Sequence, residues 1–321
     1  MNVRRLIPVA AVSGAVALGM AAVSACAGSP IATDRKDGRL DVVASFYPLQ
    51  YLTQQIGGDH VSVTVLTKPG AEPHDLELSP RQTVALSGVD AIVYLKGLQP
   101  AVDEAIAQSG VKHTADAAAM TSLEKHGTEV DGRHHTTGSN SSHSESEKGT
   151  DPHIWLDPVK YAQVARGVNR TLAAADPAHR ADYQKNTDAL VKKLGALDRQ
   201  YRDGLKNRTS DTFVTTHAAF GYLAERYGLT EEAISGIDPE SEPSISRMRD
   251  LHGLAARHHV HTVFFETIAN PDTAKTLAGD LHLTTDVLDP LEGITARSKG
   301  DDYIEVMRSN LVALQKALGA K

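Results

Sequence analysis

The sequence predicts an α/β fold of two lobes with parallel sheets, joined by a long linking helix. Short β-branched strands such as LDVVASF (40–46) and VSVTVLT (61–67) alternate with helical segments in the first half of the chain. The same alternation resumes in the second half with TFVTTH (212–217) and HTVFFE (261–266). Because strands that alternate with helices form parallel sheets, each half is expected to build its own α/β layer.

The linking helix is predicted over 176–208. It begins with Asp176 as N-cap and a first-turn proline, and apolar residues then recur at spacings of three, four or seven: Tyr183, Leu190, Leu194, Leu197, Tyr201 and Leu205. We therefore place an N-terminal lobe at 40–175 and a C-terminal lobe at 209–321. A chain of 321 residues is long enough for both, and a ligand cleft is expected between them, at the carboxyl ends of the strands.

The N-terminus has the pattern of an export signal. Two arginines precede an apolar run rich in Ala and Val that is too short for a membrane span, and small residues follow. The stretch VSAC ends at Cys26 and resembles the bacterial lipobox, in which cleavage leaves an acylated cysteine. We predict a signal peptide over 1–25 and a lipidated flexible tether over 26–39, holding an extracytoplasmic protein to the outer face of the cell membrane. The alternative is that Cys26 is an incidental thiol within the signal.

Charge and cysteine content exclude several classes of function. Removal of the signal leaves 31 basic residues against 40 acidic ones, a formal charge of −9, and an acidic protein lacks the basic face that nucleic acid requires. The chain has one cysteine, so it forms no intrachain disulfide, and a metal site must use nitrogen and oxygen donors. We expect the protein to be a monomer.

Three single histidines are placed where an α/β sheet binds ligands. His74, in KPGAEPHDLELSP, follows a strand in a loop with two prolines; His153, in TDPHIWLDP, precedes a helix start; His217 ends the strand TFVTTH. Zinc sites need ligands that converge from separate, rigidly held segments. Each histidine alone could instead satisfy a local hydrogen bond, but their similar placement favours a shared Zn²⁺ ion.

A fourth, acidic ligand is expected. Asp289 in TTDVLDPLEGIT ends a strand of the second lobe, as His217 does, and is preferred, although it could equally cap the following turn. Glu266, at the end of HTVFFE, and Glu292, three residues beyond Asp289, are the rivals.

Several segments together resemble a known family. EPHDLELSP, DPHIWLDP, TTHAAFGYLAERYG, EPSIS and DPLEGIT resemble the zinc and manganese receptors of bacterial ABC importers, most closely the ZnuA or AdcA type. The resemblance covers almost all of the mature chain. It implies two α/β lobes bridged by a rigid helix, with a metal ion held between them by His74, His153, His217 and an acidic residue matching Asp289. It further implies delivery of the ion to an ABC permease.

The residue at position 217 bears on the choice of metal. The manganese branch of the family typically has glutamate there, whereas three imidazoles and one carboxylate favour Zn(II). A manganese or iron receptor of the same family is the alternative. A zinc hydrolase is a further alternative, but the sequence has no HExxH pair and no nucleophile elbow, and a fourth protein ligand would close the position that catalysis leaves to water. We therefore predict that the protein is not an enzyme.

A polar, histidine-dotted segment interrupts the first half. Only Val130 is clearly apolar between 126 and 150, so this segment is predicted to be a mobile loop. Ligands on such a loop must be ordered when they bind, so any site there is expected to be weak. We interpret the segment as one that captures metal through His126, His134, His135 and His143. The alternative is a solvated linker whose histidines are incidental.

Overall fold

The computed structural model describes residues 38–127, 129–130, 150–268 and 272–321. The predicted signal peptide, Cys26 and the tether up to residue 37 lie outside the described residues, as do His134, His135 and His143. In the described part of the chain, no helix is both long enough and apolar enough to cross a membrane. The described residues belong to a single compact unit, so both sheets described below lie in one body.

The first sheet consists of four parallel strands in the order β2-β1-β3-β4: β1 (Leu40–Ala44), β2 (Val61–Val65), β3 (Ala91–Tyr94) and β4 (His113–Asp116). The central strands β1 and β3 are almost continuously apolar and buried, as expected of parallel strands covered on both faces. The helices of this part are α1 (Tyr47–Gly57), α2 (Pro80–Leu86), α3 (Pro100–Ser109) and α4 (Pro158–Ala175). Ser79 caps α2 in a capping box, and Asp157 caps α4.

The second sheet has the order β5-β7-β6-β8-β9 and is parallel except for its edge strand β5. Its strands are β5 (Glu129–Val130), β6 (Thr212–Thr215), β7 (Thr230–Ala233), β8 (Thr262–Phe265) and β9 (Thr284–Val287). Its helices are α6 (Gly221–Tyr227), α7 (Ile245–Arg257), α8 (Asp272–Leu281) and α9 (Tyr303–Leu318). The predicted class, two parallel α/β lobes with a long helix, is confirmed.

The long helix is α5 (Arg180–Gly204), preceded by a 3₁₀ turn at Pro177–His179. Its predicted apolar stripe is buried throughout, from Tyr183 to Tyr201. The helix contacts α1 and α4 beside the first sheet and α9 beside the second. At its C-terminal end the Tyr201 hydroxyl donates to the carbonyl of Met307 in α9 at 2.6 Å. One rigid element therefore packs against both halves of the molecule.

The mobile loop predicted over 126–150 requires correction at its start. His126 is only 4% exposed, and β5 pairs antiparallel with β7 of the second sheet. Lys125 and Thr150 form an isolated antiparallel bridge that brings the two ends of the segment together. A polar composition argues against core burial, but an edge strand needs only backbone hydrogen bonds, which composition does not report. Residues 131–149 lie outside the described part of the chain.

Candidate metal centre

The three predicted histidines lie at the ends of the elements to which the sequence assigned them. His74 lies in the connection from β2 to α2, His153 precedes a 3₁₀ turn at Ile154–Leu156 that leads into α4, and His217 lies two residues beyond the end of β6. His153 and His217 are 0% and 1% exposed, and the side chain of His74 is 10% exposed. Ring centroids of His153 lie 5.4 Å from those of both other histidines.

The histidines converge on Glu292. Oε1 of Glu292 lies 3.2 Å from Nε2 of His74, 3.1 Å from Nε2 of His153 and 3.4 Å from Nε2 of His217. One potential donor atom from each of the four residues lies within 4.8 Å of all the others. In a tetrahedral zinc site with bonds of about 2.0–2.1 Å, neighbouring ligand atoms lie about 3.3–3.4 Å from each other. The spacing of three nitrogens around one oxygen is therefore close to that of a zinc coordination shell.

Asp289, the acidic residue preferred from the sequence, lies outside this group, and Glu292 occupies the position expected of it. Its Oδ2 accepts from the Thr267 hydroxyl at 3.0 Å, and its Oδ1 accepts from the Leu291 amide at 2.8 Å. Asp289 thus caps the turn, the alternative that its position left open. The turn needs such support because Leu291 has a φ of 61°, a left-handed conformation that costs a residue with a Cβ about 1–2 kcal/mol. The left-handed conformation of Leu291 directs the next side chain, Glu292, into the cleft.

Glu266, the other rival, supports an imidazole instead of joining the group. Its Oε1 accepts from Nδ1 of His217 at 2.5 Å and from the Thr216 hydroxyl at 2.6 Å. Asp151 has the same relation to His153, with Oδ1 2.7 Å from Nδ1. An imidazole that donates from Nδ1 to a carboxylate is fixed in orientation and directs its Nε2 lone pair toward an ion.

The segment carrying His153 is anchored to the turn carrying Glu292. The Trp155 indole donates to the carbonyl of Pro290 at 2.6 Å, and the Tyr303 hydroxyl donates to the carbonyl of Trp155 at 2.6 Å. The buried indole also meets the ring of Phe46 edge-on at 4.9 Å. These contacts fix the position of His153 relative to the turn that carries Glu292.

Burial and charge perturb the centre strongly. Burial alone would lower the pKa of His153, but the carboxylates of Asp151 and Glu292 outweigh it and raise that pKa to about 9. Glu266 and Glu292 likewise raise the pKa of His217 well above its ordinary value. The histidines hold the pKa of Glu292 well below its usual range despite complete burial. These shifts favour an anionic Glu292 beside the protonated imidazoles of His153 and His217.

Several buried polar atoms at the centre have no hydrogen-bond partner among the described residues: Nε2 of His217, Oε2 of Glu292 and Oε2 of Glu266. Such atoms are rare in native proteins because each one carries a desolvation cost. Their concentration around one carboxylate indicates a position suited to a cation.

Glu72 adds a further acidic group next to the histidines. Its Oε1 accepts from the backbone amide of His74 at 3.1 Å. Burial and the neighbouring Glu292 carboxylate raise the pKa of Glu72 to about 8.

His126, which was expected to capture metal weakly, is at a different place from the one predicted. Its Nδ1 donates to Oδ2 of Asp151 at 2.5 Å, so it contacts the carboxylate that orients His153 and makes none of the direct contacts with Glu292. No local pattern in the sequence separates His126 from the polar segment that follows it. The only sequence feature that points toward this contact is Asp151, which lies two residues before His153.

Comparison with known proteins gives a consistent result. Residues 42–317 match the family model described as zinc-uptake complex component A, periplasmic (ZnuA). The zinc-binding lipoprotein AdcA of Streptococcus pneumoniae is 36% identical over 286 residues, which are 87% of this chain and 56% of that protein. The chain thus spans about half the length of the AdcA relatives that it matches.

A relative of similar length and a solved structure agree with this. The high-affinity zinc uptake system protein ZnuA of Bacillus subtilis is 33% identical over 307 residues, covering 93% of this chain and 94% of that protein. The crystal structure of the Zn(II)-bound ZnuA-like domain of S. pneumoniae AdcA superposes with a TM-score of 0.71 at 33% identity, covering 88% of this chain and 99% of the other. This chain therefore belongs to the ZnuA family of zinc-uptake components.

Proposed function

We propose that this protein is an extracytoplasmic high-affinity zinc receptor that delivers Zn(II) to an ABC-type membrane permease. The observation that carries the proposal is the convergence of three imidazole Nε2 atoms and one carboxylate at distances of 3.1–3.4 Å. The names of its relatives, which include a zinc-binding lipoprotein and a zinc uptake protein, support the same cargo.

The proposed ligands are His74, His153, His217 and Glu292. They come from four separate segments, two in the connections of the first half of the chain and two at the second sheet, so an ion bound here joins the two halves. Three nitrogens and one oxygen at tetrahedral spacing suit Zn(II), whereas Mn(II) prefers more oxygen donors and higher coordination. His217 supports zinc over the alternative of a manganese or iron receptor.

A carrier is favoured over a zinc hydrolase by the fourth donor. A catalytic zinc keeps one position open for water, whereas Glu292 is 1% exposed and lies between the imidazoles. Asp151 accepts from Nδ1 of His153, and Glu266 accepts from Nδ1 of His217. Neither carboxylate is therefore free to act as a base on water. These residues therefore serve to bind and hold the cargo.

We further propose that Cys26 is acylated after cleavage of the signal and that the protein functions as a monomer tethered to the outer face of the membrane. The lipobox-like VSAC sequence and the description of the AdcA relative as a lipoprotein support the anchor. Metabolic labelling with a radioactive or alkyne fatty acid tests it: label is expected in wild type and absent from Cys26→Ala. Equal labelling of both proteins contradicts it.

Metal analysis of the mature protein, prepared without residues 1–25, tests the zinc assignment. Offered zinc and manganese together, the wild type is expected to bind one zinc tightly and to exclude manganese. His217→Ala is expected to lose the tight site, whereas His179→Ala, which changes a histidine outside the centre, is expected to retain it. Preference for manganese, or full zinc binding by His217→Ala, would contradict the proposal.

A further inference from the structure

A buried carboxylate connects the metal centre to a fourth histidine. The two oxygens of Asp151 are divided between two rings: Oδ1 lies 2.7 Å from Nδ1 of His153, and Oδ2 lies 2.5 Å from Nδ1 of His126. On the far side of His126, Nε2 lies 3.4 Å from Oε1 of Glu225, whose side chain is 20% exposed. A continuous row of polar contacts therefore runs from Glu292 in the cleft, through His153, to the surface of α6.

The ring of His126 is tightly packed among its neighbours. The Tyr222 ring meets it edge-on at 4.7 Å, and the Tyr222 hydroxyl donates to the carbonyl of Asp151 at 2.8 Å. The same hydroxyl accepts from the amide of Glu124, whose carbonyl accepts from the amide of Asp151 at 3.0 Å. A methyl group at Gly221 would lie 2.4 Å from Nδ1 of His126. Only glycine at 221 leaves room for this ring.

Asp151 depends on His126 for part of its solvation. The carboxylate is 0% exposed, so its charge must be balanced by donors from the protein. Oδ1 accepts from both the amide and Nδ1 of His153, while His126 supplies the donor to Oδ2. Burial would lower the pKa of His126, but Asp151 and Glu225 outweigh it and raise that pKa to about 9, which is consistent with a ring that donates from Nδ1 to Asp151 and lies within ion-pair distance of Glu225.

We propose that His126 is a positioning residue of the metal centre. It holds the Asp151 carboxylate from the side opposite His153, and the carboxylate in turn keeps the His153 ring turned with Nε2 toward Glu292 and the ion. The inference rests on the proposed zinc site but assigns to His126 a role other than weak capture. It acts through Asp151 and does not touch the metal.

Two substitutions at position 126 distinguish the hydrogen bond from His126 to Asp151 from the space that the ring fills. His126→Phe keeps the aromatic contact with Tyr222 and removes both nitrogens, whereas His126→Asn keeps an N–H donor close to the position of Nδ1. Zinc affinities of the mature protein are measured by chelator competition at pH 7.5, with thermal unfolding as the check on folding. The matched controls are His179→Phe and His179→Asn, because His179 forms a similar 2.6 Å pair with Asp176 outside the centre.

His126→Phe is expected to weaken the tight zinc site by about tenfold, at the lower end of the range seen when supporting partners of a ligand are removed. His126→Asn is expected to recover binding to within about threefold of wild type, and both His179 variants to match wild type. Unchanged binding by His126→Phe would overturn the proposal. The proposal would also be overturned if His126→Phe lost only weaker additional zinc sites, which would identify His126 as a capture residue. Failure of a folded His126→Asn to recover zinc affinity would overturn it as well.

A measurement on the unaltered protein covers the case in which His126→Phe does not fold. In protein labelled with ¹⁵N-histidine, the Nδ1–H signals of both His153 and His126 are expected to shift when one equivalent of zinc is added, while that of His179 does not. A His126 signal that stays in place would overturn the inference. Failure of the wild type to bind zinc tightly would instead refute the proposed function, so the two failures are distinguishable.

Discussion

Lowering the pH from 8 to 6 is expected to weaken zinc binding by about 10⁴-fold, because two protons compete with each zinc ion. The pKa of His153 is raised to about 9 and that of His217 well above its ordinary value. Both rings are therefore protonated across this range in the metal-free protein, and zinc needs the lone pair of each. Glu292 contributes no proton, since its pKa is held well below its usual range.

The magnitude follows from proton linkage. Each proton that must leave changes the affinity by a factor of about ten per pH unit, or about 1.4 kcal/mol. Two protons over two pH units give about 10⁴, or roughly 5.4 kcal/mol. The sign is fixed by the direction of the shifts: a raised imidazole pKa means weaker binding below that pKa and a rise in affinity that continues toward pH 9. Ordinary imidazoles, with a pKa of about 6.5, would already give a plateau above about pH 7.5.

Calorimetry can count these protons directly. Zinc is titrated into the mature protein at pH 7.0 in buffers of different ionisation enthalpy, and the slope of the observed enthalpy against that enthalpy gives the protons released per zinc. A value of about two is expected for wild type and for the control His179→Asn. Release of no protons, or an affinity that is the same at pH 7 and pH 8, would refute the assignment of protonated His153 and His217 to the empty centre.

Three further predictions test the structure around the centre. Glu292→Gln is expected to abolish the tight zinc site, whereas Asp289→Asn retains it, as measured by calorimetric titration; the reverse result would restore Asp289 as the acidic ligand. Trp155→Phe leaves the buried carbonyl of Pro290 without its donor and is expected to lower the free energy of unfolding in urea by about 1–3 kcal/mol, which an unchanged unfolding midpoint would contradict. Replacement of 131–149 by a short Gly–Ser linker is expected to preserve the tight site, and its loss would show that this segment supplies a ligand.

Local patterns in the sequence were sufficient to predict the fold class and the positions of the three histidines in it. Apolar β-branched runs, cap–proline pairs such as Asp157-Pro158, and the regular stripe of α5 are signals that depend on near neighbours along the chain. His217 could be placed because it ends such a run, and sheets of this class bind ligands at the carboxyl ends of their strands.

The acidic residue could not be chosen in this way. Asp289 and Glu292 lie three residues apart in one turn, and both follow the same strand. Which of them faces the cleft depends on the left-handed Leu291 and on the Trp155–Pro290 hydrogen bond. Both are set by tertiary contacts that leave no periodic signal in the sequence.

The role of His126 was hidden for a related reason. Polar composition correctly describes a segment that has no core of its own, but it does not show where the segment is attached. Pairing of β5 with β7 and the contact with Asp151, 25 residues away, bring this histidine into the interior.

An X-ray structure with anomalous data at the zinc edge, collected on the mature protein with one equivalent of zinc at pH 8, tests the central proposal most directly. One ion is expected, bound by Nε2 of His74, His153 and His217 and by a carboxylate oxygen of Glu292 at about 2.0–2.1 Å. An ion held by Asp289 or by histidines between 131 and 149, with these four side chains unoccupied, would contradict it.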